Sequence, residues 1–258
     1  MKYPRLFSEG SIGNVKIRNR IVMCALAMGV SDDRQCIGED FLAYLMERAR
    51  GGVGLIVLEN TRVDDEHGVA APWQASVARD EQIAPMAAAV KALHEEGVKV
   101  FAQLHHPGRE TFSNLNGNVP VWSSSNRPCG VCQQETHEMT TKEAESVIQK
   151  FVAGAVRAKK AGVDGIELHG AHGYLISQFL SPYTNQRTDR FGGSFENRLQ
   201  FVKEIIEGIR RECGTDFTLG IRLTVDELLA PNGVQEYLTL EEGVKVCREL
   251  EKMGLDFI

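Results

Sequence analysis

The chain has 258 residues, 43% hydrophobic and 25% charged, with 25 Gly and 8 Pro, a composition that excludes disordered, collagen-like and coiled-coil proteins. Its 29 Lys and Arg against 35 Asp and Glu give a net charge of −6, the opposite of the basic surface that a nucleic-acid partner demands. No apolar run approaches the length of a membrane span, and the N-terminal MKYPRLFSEG lacks the apolar core of a signal peptide. A cytoplasmic protein with neither nucleic acid nor membrane as partner is expected, its six cysteines reduced.

In chain order the pattern predicts strands over 20–27, 54–60, 99–105, 165–169, 218–223 and 255–258. Helices are expected near 39–50, 82–96, 141–161, 195–211 and 239–253, two of them opened by the capping boxes Thr140-x-x-Glu143 and Thr239-x-x-Glu242. Four times a charged helical segment ends at Gly and enters an apolar strand: RARGGVGLIVLEN, HEEGVKVFAQLHH, KKAGVDGIELHG and EKMGLDFI. Helix, Gly cap and buried strand mark a repeated βα unit.

Both a doubly wound sheet and a barrel alternate in this way. Polar groups, however, gather at the carboxyl ends of many strands: Glu59, Asn60 and Thr61; Gln103, His105 and His106; Glu167 and His169; Arg222 and Thr224. That distribution favours a TIM (β/α)8 barrel over a sheet with one switch point, and no G-x-G-x-x-G follows any strand. The expected fold is therefore one barrel domain over 1–258 with six of its eight βα units present, incomplete at its C-terminal end.

The densest chemistry lies in Glu167-Leu168-His169-Gly170-Ala171-His172-Gly173-Tyr174, leaving the fourth strand. One such His is satisfied by local capping, but two with a Tyr at a strand exit point to function. A metal reading, His-x-x-His joined by Glu167 and His105 or His106, lacks any zinc spacing, and no metal ligands are assigned. Cys129 and Cys132, the one C-x-x-C, read as an ordinary loop beside Pro128 and Gly130.

The run HGAHGYLISQFLSPYTNQRTDRFGGSFENRLQF over 169–201 resembles the signature of the Old Yellow Enzyme family of FMN-dependent oxidoreductases. So do NRIVM at 19–23, AQLHHPGR at 102–109 and GIRL at 220–223. Within the family the chain looks closest to the 2,4-dienoyl-CoA reductase and 2-enoate reductase branch. The resemblance implies FMN at the mouth of a TIM barrel, with Gln103 on the flavin pyrimidine edge and Arg222 near its N1 and O2 side; the bland reading of Arg222 is an ion pair with Glu167. It implies Met23, Cys24, Ala25 and Asn60 as further flavin-lining positions. His169 and His172 match the pair that binds the substrate's activating oxygen, and Tyr174 the proton donor. Ala27 stands at the substrate-side position that often carries Thr or Cys, a departure that removes a hydrogen-bond donor from the flavin edge. Arg187, Asp189, Gly192, Gly193, Glu196, Asn197 and Arg198 match as structural loop residues.

The implied function is an ene-reductase that uses NADH or NADPH to reduce an activated C=C bond in a small alkene, in a homo-oligomer. The alternatives are a flavin dehydrogenase of the same family running oxidatively on amines, or an inert fragment of a barrel. An iron–sulfur cluster and a second flavin would belong only to a longer parent protein.

Overall fold

The computed structural model describes residues 2–258. An antiparallel hairpin of β1 (Gly10–Ile12) and β2 (Val15–Ile17) precedes β3 (Val22–Met23), α1 (Glu39–Arg50), β4 (Leu55–Arg62), α2 (Ile83–Glu95) and β5 (Lys99–His105). A short pair, β6 (Val121–Ser123) and β7 (Thr136–Glu138), follows. Then come α3 (Thr141–Lys160), β8 (Gly165–Gly170), α4 (Leu175–Leu180), α5 (Phe195–Cys213), β9 (Thr218–Leu223) and α6 (Leu240–Lys252). The strands β3-β4-β5-β8-β9 form one curled parallel sheet in that order.

The helix-to-strand joints carry the glycines that the repeat predicts. Gly52, Gly97, Gly162 and Gly254 have φ of 97°, 73°, 88° and 86°, a left-handed turn that a side chain disfavours and that ends each helix against the next strand. Thr140 and Glu143 form the full capping box before α3. Before α6 only half of the expected box forms: Thr239 accepts from the Glu242 amide, while the Glu242 carboxylate is taken by Arg198.

Strand side chains alternate between two faces. Ile56, Leu58, Val100, Ala102, Leu104, Ile166, Leu168, Leu219 and Ile221 face the helices and join Phe41, Leu93, Phe151 and Ile205 in the large core. The other, concave face is floored by Leu55, Val57 and Phe101 over Ile17, with Ile12 and Val15 of the hairpin and Phe257 packed beneath. The rings of Phe101 and Phe257 stack at 5.6 Å. They fit because Gly165 and Gly220 have no side chain, since a Cβ there would lie 2.8 Å and 2.3 Å from those rings.

Two strand expectations change. The segment 255–258 is not a sixth ladder strand; it joins β9 through a single bridge, Gly220 to Phe257. The Asp256 carboxylate occupies the Leu219 amide at 2.9 Å, where a ladder partner would bind. The sheet thus has five ladder strands and the bridge, curled without closing into eight. The first strand, expected over 20–27, is cut to Val22–Met23 because the following chain is held by a side chain, Glu59, whose carboxylate accepts from the Met28 amide at 2.6 Å and the Ala75 amide at 3.0 Å. Among the described residues no helix is long and apolar enough to cross a membrane.

Candidate active site

Parallel register and the two-residue period bring the polar strand ends together on the concave face above the aromatic floor. Gln103 lies opposite Glu167 and His169 opposite Arg222. A bulge in β4 between Leu58 and Asn60 sets Asn60 opposite Gln103, turning a residue that strict alternation would send outward onto the same face. Gln103 Nε2 donates to Glu167 Oε1 at 2.7 Å. Burial pushes the Glu167 carboxyl up, opposed by that bond and by the charge of Arg222. Arg222 itself is exposed and makes no side-chain hydrogen bond or ion pair among the described residues, so the ion pair with Glu167 that the sequence allows does not form.

Beyond Gly170 the chain turns sharply. His172 and Gly173 have φ of 60° and 75°, and a non-glycine residue in the left-handed region costs free energy that the surroundings must offset. The offset is visible: the His172 amide donates to Thr224 Oγ1 at 3.1 Å, and Gln178 Nε2 donates to the carbonyls of Gly173 and Pro107 at 2.7 and 3.0 Å. Gln178 thereby ties the turn after β8 to the turn after β5. Tyr174 caps the buried helix α4 through its backbone alone, leaving its phenol free. Its ring stands edge-on to His105 and His169, at centroid distances of 4.4 and 4.7 Å.

Three imidazoles form a chain. His105 Nδ1 lies 3.0 Å from His169 Nδ1, and His169 Nε2 lies 3.0 Å from His172 Nδ1. Burial first, and then the neighbouring His172 and Arg222, lower the His169 pKa to about 3; His105 is likewise lowered, by burial and by His169. Both rings are therefore neutral at pH 7. A neutral imidazole carries one N–H, so the chain has two consistent proton patterns. In one, protons point from His105 toward His172, leaving His172 Nε2–H as an outward donor. In the other they point inward, leaving a buried N–H on His105 Nε2, an atom with no partner. Nε2 of His105 lacks a partner in both; the first leaves it a bare lone pair rather than a buried N–H, and only the first gives His172 an outward donor.

His105 is a site residue that the sequence marks as a strand-end polar group and as one candidate in the metal reading, not as part of the substrate-binding set. The two-residue step Phe101, Gln103, His105 along β5 is the pattern that marks it. Its neighbour His106 faces the other way, buried 3.7 Å from Asp64, which also pairs with Lys150 at 2.8 Å.

Of the expected flavin-lining positions, Ala25 packs against the concave floor, Met23 packs against the helix-side core, and Cys24 is exposed, as is the substrate-side Ala27. Asn60 is buried with its Oδ1 unpartnered. Buried orphan atoms of Asn60 and His105, the Gln103 amide and the unpaired Arg222 cation line one face above an apolar floor. That donor and acceptor set fits the polar edge of an isoalloxazine ring. The loop of the long motif is held from within: Arg187 donates to the Ser124 carbonyl at 3.0 Å and pairs with Asp189 at 2.5 Å, Asn197 donates to the Gly192 carbonyl at 3.0 Å, and Arg198 to the Leu180 carbonyl at 2.9 Å.

Residues 5–254 match the NADH:flavin oxidoreductase / NADH oxidase family. The chain is 44% identical over 253 residues to an NADH oxidase of Thermoanaerobacter brockii, covering 98% of this chain and 38% of that protein. It is 37% identical over 257 residues to an NADPH dehydrogenase of Halalkalibacterium halodurans, covering 98% of this chain and 72% of the relative. The structure superposes on a 2-naphthoyl-CoA reductase in complex with 2-naphthoyl-CoA with a TM-score of 0.91 and 28% identity, covering 99% of this chain and 40% of the other. The chain thus spans less than half the length of two of these three proteins.

Proposed function

Because the chain belongs to the NADH:flavin oxidoreductase / NADH oxidase family, whose cofactor is FMN and whose electron donors are NADH and NADPH, we propose that it reduces carbon–carbon double bonds conjugated to a carbonyl. One observation carries this reading: a neutral His105–His169–His172 chain meets a free Tyr174 phenol at the mouth of the sheet. Gln103, Arg222, Asn60 and the backbone around Met23, Cys24 and Ala25 would hold FMN, which when bound supplies the hydride. Likeness to a reductase of 2-naphthoyl-CoA supports the same direction of chemistry.

In this reading the outward N–H of His172 holds the substrate carbonyl oxygen. His169 fixes the tautomer of His172, and both stabilise the negative charge that develops on that oxygen as hydride reaches the distal alkene carbon. Tyr174 then gives its proton to the carbon next to the carbonyl. Burial, with the charges of Glu110 and Cys132 behind it, raises the Tyr174 pKa, keeping the phenol protonated and ready to donate at neutral pH. Ala27, exposed after β3, would stand on the substrate side without offering a donor.

The test is anaerobic stopped flow on the FMN-loaded protein. NADH or NADPH should bleach the flavin, and 2-cyclohexenone should restore its colour with formation of cyclohexanone. If a secondary amine bleaches the flavin while no enone restores it, the oxidative alternative replaces this reading.

A further inference from the structure

Outside the imidazole chain, the loop after β5 and the loop between β6 and β7 bring together a second set of reactive groups. Glu110, Cys129 and Cys132 place a carboxylate oxygen and two sulfurs all within 4.8 Å of one another. The sequence reads this C-x-x-C as an ordinary loop, but its local structure is specific. The amides of Val131 and Cys132 both point at Cys129 Sγ, at 3.2 and 3.3 Å, and Gln133, at φ 50°, closes the turn by donating from its amide to the Cys129 carbonyl at 3.0 Å. Two N–H donors on one sulfur fix its orientation, as hydrogen bonds around an ion orient the ligands that hold it.

The third ligand is aimed from the other side. Glu110 Oε2 accepts the Cys129 S–H at 2.7 Å, while Oε1 faces Arg109 Nε at 3.5 Å and lies against the backbone of Gly173. One proton thus sits where sulfur and oxygen converge, and a cation could replace it. Arg109 Nε is buried without a hydrogen-bond partner, a positive charge placed to offset the excess that two thiolates and a carboxylate leave on a divalent ion. Thiolate with carboxylate suits zinc and excludes the hard ions that prefer oxygen alone. Three protein ligands would leave a fourth position open, the arrangement of exchangeable rather than purely structural sites.

We propose that Glu110, Cys129 and Cys132 form a binding site for a zinc-type divalent cation on the rim of the active site, one residue in space from the turn that carries Tyr174. None of its ligands is assigned to cofactor or substrate; Glu110 and Cys132 act on the proposed reaction only through their charges near Tyr174.

Cobalt(II) is the probe. The reduced, chelator-stripped chain is expected to bind one Co2+ with sulfur-to-cobalt charge-transfer absorption and tetrahedral d–d bands, both displaced by Zn2+. Cys129→Ser and Cys132→Ser should each raise the half-saturation concentration about 100-fold or more, above the usual loss for an outer-shell partner. Glu110→Gln should weaken binding with the sulfur bands retained, and Cys247→Ser should leave the titration unchanged. Should a cysteine variant fail to fold, alkylation of the unaltered protein decides: Zn2+ must shield Cys129 and Cys132, mapped by mass spectrometry, and leave Cys24 reactive. No stoichiometric cobalt spectrum, a spectrum that survives the double serine variant, or equal alkylation with and without Zn2+ would each overturn the site.

Discussion

His105 and His169 meet nitrogen to nitrogen, Nδ1 to Nδ1 at 3.0 Å, with only 0% and 5% of their surfaces exposed. A contact of that kind holds one proton, and charging either ring would put like charges together away from water. Both rings titrate below the ordinary value of 6.5, His169 at about 3.

This sets a pH dependence of stability. In the unfolded chain these histidines take up protons near 6.5, whereas the folded protein refuses them until far lower pH. Their contribution is therefore complete above about pH 6.5 and is lost as pH falls from there toward 3, each adding a slope of at most about 1.4 kcal/mol per pH unit. Urea unfolding followed between pH 7 and pH 4 should show the falling midpoint, and His105→Gln should flatten it. An equal slope in that variant would contradict the neutral pair.

Removing a donor should act on the reaction rather than on the flavin. His172→Ala and His169→Ala are each expected to slow enone reduction by about 10²–10³-fold, and to weaken phenol ligands, read from the charge-transfer band that phenols give with flavin. Flavin content should stay within twofold. Parent rates in both variants would remove these residues from the reaction.

Tyr174→Phe separates the half-reactions. Bleaching by nicotinamide should proceed at the parent rate, and reoxidation by cyclohexenone should collapse; stopped flow times the two independently. Substrates with strongly acidifying groups should suffer less, since solvent can supply their proton. Collapse of the bleaching step instead would place Tyr174 elsewhere in the cycle.

Glu59 carries a structural prediction. Its carboxylate accepts from the Met28 and Ala75 amides and, more distantly, from Gly29. Glu59→Ala strands these groups, at about 1–3 kcal/mol for each donor left buried without a partner, and frees the segment that follows β3. Thermal unfolding should move down, with backbone amide exchange rising over 24–29. Unchanged exchange there would show that the segment is held by something else.

The five long helices and the glycine joints were legible because both rest on local rules, a 3.6-residue apolar period and a left-handed cap; α4, six residues long, is too short for that period to register. The cluster of His169, His172 and Tyr174 was legible as a sequence run. His105 was not, because its role depends on which face of β5 is concave and on β8 being its neighbour, both properties of the assembled sheet. Glu110 escaped for a similar reason: 19 residues separate it from Cys129, and only the folded loop closes that gap. The hairpin over Gly10–Ile12 and Val15–Ile17 is too short for periodicity to register.

The irregularity in β4 works as a single phase slip in a two-beat pattern. Before it the odd-numbered Leu55 and Val57 face the floor; after it the even-numbered Asn60 takes the station beside Gln103. Deleting one residue at Glu59 would restore the unbroken beat and still leave Asn60 inward, next after Leu58 and opposite Gln103, but would remove the carboxylate that anchors Met28. The inserted residue thus adds an anchor outside the ladder without displacing the amide that the regular beat would place there. Losing it would unfasten the chain after β3 and leave the address of Asn60 unchanged.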